Sequence, residues 1–186
     1  MACDENLRWL LSFYRTSEIS GALFFGQLAR GLRNPAIQGD MTRHFAEEAQ
    51  HARYWTDCIA RLDAEPLQLG RSYQDQYVAA AGMPANLMEV LAITQVFEQR
   101  VVRQYALHLR LPEIPAPVSE TLELILRDEK WHLAWVRAAL DGLAPEFGRE
   151  EIDVTLRRFG DADRTVYQNT AQEHAARIDH LMLARR

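Results

Sequence analysis

The sequence predicts an all-α domain: a four-helix bundle with a long crossover between helices 2 and 3 and a fifth, C-terminal helix. Three observations carry this. Apolar residues recur at three- and four-residue spacing nearly throughout, and no segment alternates as a half-buried strand would. Helix punctuation cuts the chain into two pairs of long helices joined by short loops, with one long connection between the pairs.

Each element has its own signals. Asp4 is an N-cap and Gly31 a C-terminal stop, with Asn34-Pro35 beyond it, so the first helix runs from about residue 4 to 31. The second covers about Pro35 to Asp63 and ends before Glu65-Pro66. The connection from Glu65 to Pro84 holds a short helical piece around Tyr73–Ala81 and is either a plain crossover or a lid. The third helix covers about Ala85 to Leu111, and Pro112, Pro115 and Pro117 mark the break after it. The fourth runs from about Val118 to Leu143. The fifth runs from about Arg149 to the end, with a bend at Gly160. Its Tyr167, Ile178, Leu181 and Leu183 would cap the bundle or join a dimer.

With 186 residues the chain fits one domain over residues 1–186, the bundle occupying 4–143 and the last helix 149–186. The net charge of −5 argues against a nucleic-acid or membrane-surface binder, which would use basic faces. Lys130 is the only lysine, so a phosphate-binding GxxxxGK[ST] loop is absent. Two cysteines, Cys3 and Cys58, cannot form a disulfide framework or a cysteine-only zinc site, and Cys58 reads as core. Asp4, Glu5 and Arg8 do not suit a signal peptide, and no apolar run is long enough for a spanning helix. A cytoplasmic protein, with no integral membrane part, is the expectation.

The chemistry is concentrated in two Glu-x-x-His motifs, Glu48–Ala49–Gln50–His51 and Glu129–Lys130–Trp131–His132, the only two in the chain. At i and i+3 the two side chains share a helix face and can reach one point. Each motif is preceded by a lone glutamate in the helix before it: Glu18 lies 30 residues before Glu48, and Glu98 lies 31 before Glu129. The surroundings matter more than the spacing. Glu18 sits with Leu11, Tyr14, Ala22 and Phe25, and Glu98 with Leu91, Val101, Val102 and Tyr105. Glu48 sits with Met41, Phe45, Ala52 and Trp55, and Glu129 with Leu122, Ile125, Leu126, Leu133 and Val136. Carboxylates in apolar stripes must neutralise or find partners. With no matching set of inward arginines, a pair of divalent cations is the natural partner.

The order Glu, ExxH, Glu, ExxH over four helices resembles the ferritin-like di-iron carboxylate superfamily, across about residues 4–143. The resemblance implies that Glu48 and Glu129 bridge two metals. Glu18 with His51 would complete one metal and Glu98 with His132 the other. Carboxylate and imidazole suit iron or manganese, hence two iron ions or an iron–manganese pair. Glu47 and Asp128, each just before an ExxH glutamate, either accept hydrogen bonds from ligating histidines, as the resemblance implies, or face solvent or an arginine. Tyr14, Tyr54 and Tyr105 lie within one or two turns of a ligand, where they either serve the site or fill the core. Gly21, Ala22 and Phe25 follow Glu18 and either leave room for a substrate or allow close helix packing. His44, His108, His174 and His180 have no partner pattern and read as surface or packing residues, and Trp131 and Trp135 as packing.

Within the superfamily, storage ferritins usually lack the fourth-helix histidine that His132 supplies. Rubrerythrins add a glutamate on the third helix and a CxxC iron domain; here Gln95 and Val101 flank Glu98 and no CxxC exists. The full ligand set is similar to the oxygen-activating branch, which includes demethoxyubiquinone hydroxylases, aldehyde-deformylating oxygenases and a tRNA-modifying monooxygenase. This implies a monooxygenase or oxidase that activates dioxygen against a small, apolar organic molecule. Nothing in the chain resembles a flavin or nicotinamide site, so a ferredoxin or reductase would deliver electrons, and a homodimer is the expected assembly. The alternatives are a ferroxidase or peroxide-scavenging iron protein, and a metal-free structural bundle.

Overall fold

Among the described residues the main helices are, in order, α1 (Glu5–Gly31), α2 (Pro35–Arg61), α3 (Tyr73–Ala81), α4 (Leu87–His108), α5 (Ala116–Phe147) and α6 (Arg149–Glu173). They come from a computed structural model that describes residues 3–177, and no strand occurs among the described residues. The caps explain the starts. Asp4 accepts from the Asn6 and Leu7 amides, and Asn34 accepts from the Ala36 amide ahead of Pro35. Ser72 and Asp75 form a reciprocal capping box that lets the nine-residue α3 exist inside the crossover.

Several boundaries differ from the sequence reading. Helix α2 stops at Arg61, because the amides of Leu62 and Asp63 reach back only three residues and Asp63 takes a left-handed φ of 54°. Asn86 caps α4, so that helix starts at Leu87, two residues later than expected. It also ends early, at His108, where the Arg110 and Leu111 amides turn to three-residue bonds. Helix α5 continues past Leu143 to Phe147, since Pro145 in its last turn removes only one donor, and Gly148 ends it at φ 85°. Helix α6 runs through Gly160 as unbroken helix. Tyr167 lies against Arg100 of α4, whereas Ile178, Leu181, Leu183 and His180 fall outside the described residues.

Residue pairs across the helices give their directions. Gly21 faces Glu48 while Gly26 faces Phe45, so α1 and α2 are antiparallel. His51 meets Asp128, Glu47 meets His132 and Arg61 meets Glu120, so α2 and α5 are antiparallel too. Glu18 of α1 meets Tyr105 of α4, and Phe25 shares a pocket wall with Ile93 and Phe97. Helices α2 and α4 therefore run the same way, which requires the long connection between them.

The apolar interior is split in two. Leu11, Trp55, Ile59, Leu122 and Ile125 pack at one end; Phe25, Met41, Leu91, Val136 and Leu140 pack towards the other, where Ile152 and Phe159 of α6 close the cluster. Each fully buried side chain of this kind contributes about 2 kcal/mol. Between the two clusters, at the same height on α1, α2, α4 and α5, lies a layer of buried acids and histidines. No described helix is long and apolar enough to cross a membrane.

A second polar knot ties α6 to the bundle. Buried Asp163 accepts from Tyr73 Oη at 2.7 Å and from Arg100 Nε at 3.0 Å, linking α3, α4 and α6. Tyr77 Oη donates to the Phe159 carbonyl at 2.7 Å. Asp163→Ala strands a mostly buried guanidinium, so unfolding free energy measured in urea should fall by about 3 kcal/mol, the low end for a broken buried pair because Arg100 keeps some water. A loss below about 1 kcal/mol, the range of exposed pairs, would show that the knot does not hold α6.

Candidate metal centre

The four glutamates and two histidines singled out in the sequence converge. Glu18, Glu48 and Glu98 are 4–5% exposed, and Glu129, His51 and His132 are fully buried. Two groups of four ligand-type side chains arise, each with its donor atoms within 4.8 Å of one another. One is Glu18, Glu48, His51 and Glu129; the other is His44, Glu48, Glu98 and His132. Glu48 belongs to both, and Glu129 touches the second group through Oε2, 3.1 Å from His132 Nδ1.

The outer atoms of this layer are tied down, and the inner ones converge on one another. His51 turns Nε2 to Asp128 at 3.2 Å, and His132 turns Nε2 to Glu47 at 3.0 Å. The pairing is crosswise: the acid before each motif's glutamate serves the histidine of the other motif, because one residue along a helix rotates a side chain by about 100° towards the facing helix. Each ring thereby donates its Nε2 proton outward and presents Nδ1 to the centre. Arg43 holds the other oxygen of Glu47 at 2.8 Å and lies over the Trp131 ring. Glu18 has Oε1 bound by Tyr105 Oη and by Trp55 Nε1 at 3.4 Å, leaving Oε2 facing His51.

Inside, two buried atoms lack any hydrogen-bond partner: His51 Nδ1 and Glu129 Oε1, which face each other at 3.4 Å. Orphaned buried polar atoms are costly and rare. Gly21 provides a further clue, since a Cβ there would sit 2.3 Å from Glu48 Oε2. The missing side chain is what lets the shared carboxylate occupy its position. The donor set of carboxylate oxygens and imidazole nitrogens, converging on one buried space, fits hard or borderline divalent cations such as iron or manganese.

Protons occupy part of this space in the metal-free chain. Burial and the Glu98 charge push Glu129 well above the ordinary carboxylate range, and burial with the Glu18 charge pushes Glu48 up. Burial would raise Glu98 too, but the hydrogen bond from Glu129 and the neighbouring histidines hold it well below. Burial disfavours charge on His132, yet Glu98, Glu48 and Glu47 raise it to about 9. His51 likewise overcomes burial, through Asp128 and Glu18, and lies well above its usual value.

His44 is the residue that sequence reasoning missed. Read there as surface or packing, it is fully buried, with Nε2 at 3.0 Å from Glu98 Oε1 and 3.3 Å from Glu48 Oε1. Its ring stacks between Phe25 and His132, at centroid distances of 4.0 and 3.7 Å. The available signal was its place on the buried stripe Ile37, Met41, His44, Glu48. His108 is also buried, not on the surface, and burial alone lowers its pKa to about 4. His174 packs on Trp9.

An apolar pocket of about 80 Å³ opens onto Glu18, Glu48 and Glu98. Its walls are Gly21, Phe24 and Phe25 of α1, Ile93, Phe97, Val101 and Tyr105 of α4, and Gln74 and Val78 of α3 with Pro84. Of the six pocket residues expected, Gly21, Phe25 and Tyr105 line it. The other three do not: Tyr14 packs on Trp55 and Tyr105, Ala22 is buried away from the pocket, and Tyr54 stacks outside His51. The larger groove between α4, α5 and α6, about 530 Å³, reaches Asp163 but none of the four glutamates of the centre.

Comparison with protein-family models, curated proteins and solved structures finds no match.

Because a cation must displace protons from His51, His132, Glu48 and Glu129, divalent-metal affinity should rise with pH towards about 9 and fall on acidification. Cobalt(II) titrations followed by visible absorption at several pH values measure this; affinity independent of pH would exclude these groups as ligands. Gly21→Ala should lower cobalt affinity about tenfold or more by displacing Glu48, while leaving the metal-free melting temperature nearly unchanged. Unaltered affinity would mean that Glu48 does not hold metal where it lies.

Proposed function

We propose that this chain is a ferritin-like di-iron carboxylate protein: a non-haem oxidoreductase that activates dioxygen to oxidise or hydroxylate a small apolar organic substrate. The observation that carries the proposal is the pair of buried four-donor groups sharing Glu48, next to an apolar pocket. The helix directions support the ferritin-like arrangement, since α2 and α4 run parallel and are joined by the long α3-bearing crossover. Glu18, Glu48, His51 and Glu129 would hold one ion, and Glu48, Glu98, Glu129 and His132 the other. The pair is iron, or iron with manganese, and when bound supplies two-electron chemistry with dioxygen.

The chain's own residues do the rest. Asp128 and Glu47 hold the Nε2–H of His51 and His132 outward, so that Nδ1 is the nitrogen each ring would offer inward once a cation displaces its proton. Tyr105, whose phenol is kept protonated by burial and the Glu18 charge, orients the Glu18 carboxylate. Phe24, Phe25, Ile93, Phe97 and Val101 exclude water beside the acids, and Gly21 leaves the approach to Glu48 open. The apolar lining favours an organic substrate over ferrous ion or peroxide as the molecule turned over. Electrons would come from a separate ferredoxin or reductase.

Loaded anaerobically with ferrous ion and then mixed with oxygen, the protein should consume dioxygen. Glu129→Ala should reduce that to the background of free ferrous ion. Undiminished consumption by the variant would place the oxygen chemistry elsewhere and sink the proposal.

A further inference from the structure

His44 has the position of a ligand, and by distance alone it would give the second metal position an extra imidazole. Its hydrogen bonds point the other way. Trp135 Nε1 lies 3.2 Å from His44 Nδ1. An indole nitrogen only donates, so Nδ1 must be the acceptor and the ring proton must sit on Nε2. That nitrogen faces Glu98 Oε1 at 3.0 Å and Glu48 Oε1 at 3.3 Å, as a donor should. A second proton on the ring, which the two carboxylates would favour, has only Nδ1 to go to and would collide with the Trp135 N–H. His51 and His132 are built in reverse: their outer nitrogens donate to Asp128 and Glu47, and their inner nitrogens face the carboxylates of the centre, with no tryptophan behind them.

The Glu18 side supplies the parallel. There Trp55 Nε1 donates to Tyr105 Oη at 3.2 Å, and Tyr105 donates to Glu18 Oε1, leaving Oε2 towards His51. On the Glu98 side Trp135 donates to His44, whose Nε2 hydrogen-bonds Glu48 Oε1 at 3.3 Å and lies 3.0 Å from Glu98 Oε1, leaving Glu98 Oε2 towards His132 at 3.7 Å. Each lone glutamate thus has its outer oxygen held by a proton donor that a tryptophan orients from behind.

We infer that His44 is a positioning residue and not a third ligating imidazole: its Nε2–H fixes the outer oxygen of Glu98, as Tyr105 fixes that of Glu18. The inference rests on the dinuclear reading for its purpose, but its geometry is a property of the metal-free chain. With the ring wedged between Phe25 and His132 and its two nitrogens both engaged, His44 cannot turn to offer a lone pair inward without breaking the Trp135 bond.

Long-range ¹H–¹⁵N spectra of the metal-free protein labelled at histidine test this directly. His44 should show a protonated Nε2 and a bare Nδ1, whereas a protonated Nδ1 overturns the inference. In the cobalt(II)-loaded chain, pulsed paramagnetic resonance and X-ray absorption should count two imidazoles for the pair of ions, and three would overturn it. His44→Leu should weaken one of the two cobalt sites about ten- to a hundred-fold, as removal of a second-sphere donor does. His44→Gln, which keeps an N–H donor, should restore most of that affinity; equal losses in the two variants would mark a ligand instead. A wild-type chain that binds no metal would sink the dinuclear reading and leave the tautomer result standing, so the two failures are distinguishable.

Discussion

Four carboxylates buried at one height in a helical bundle are the constraint on which the rest of this structure depends. Any one of them, isolated in an apolar interior, would be severely penalised as an anion. The chain surrounds them with donors instead. Tyr105 and Trp55 serve Glu18, His44 serves Glu98 and Glu48, and Glu129 meets His132 and shares a proton with Glu98. Two apolar clusters, one on either side, stabilise the fold enough to offset the polar layer between them.

Satisfaction of the outer atoms is what makes the inner ones useful. Glu47 and Asp128 sit near the surface, partly exposed to water. From there they impose a tautomer on histidines that are fully buried. Rigid helices carry every member of the layer, so its geometry is set by helix register and not by loops. The pocket lies on the glutamate-rich side, where α1 and α4 are spaced apart and α3 covers the gap. A short capped helix in the crossover thus forms one wall of the pocket, which answers in part what the long connection is for.

Much of this was legible in the sequence because it is local. The i, i+3 motifs, the lone glutamates before them and the apolar stripes around them fix both the helical content and the residues that meet. The crosswise service of His51 by Asp128 and His132 by Glu47 was half legible, since adjacency to the motif marked the acids but the partner histidine depends on how α2 faces α5. His44 was hidden for a different reason. It has no counterpart in the second helix pair: the equivalent donor on the other side is Tyr105, a different residue type on a different helix, so no repeat could reveal it. The knot of Asp163, Arg100 and Tyr73 joins residues 63 and 90 positions apart and carries no local signature. Helix ends differed where amides turned to three-residue bonds, a choice made by loop geometry and not by periodicity.

The most direct test of the central claim is the number of metal ions bound per chain. Protein reconstituted anaerobically with ferrous ion, freed of excess metal and measured by inductively coupled plasma mass spectrometry, should carry about two ions per chain, one for each buried four-donor group. One ion per chain would contradict a dinuclear centre. None would mean that the buried glutamates are held by protons and neighbouring donors alone, and the oxidoreductase reading would fall with the metals.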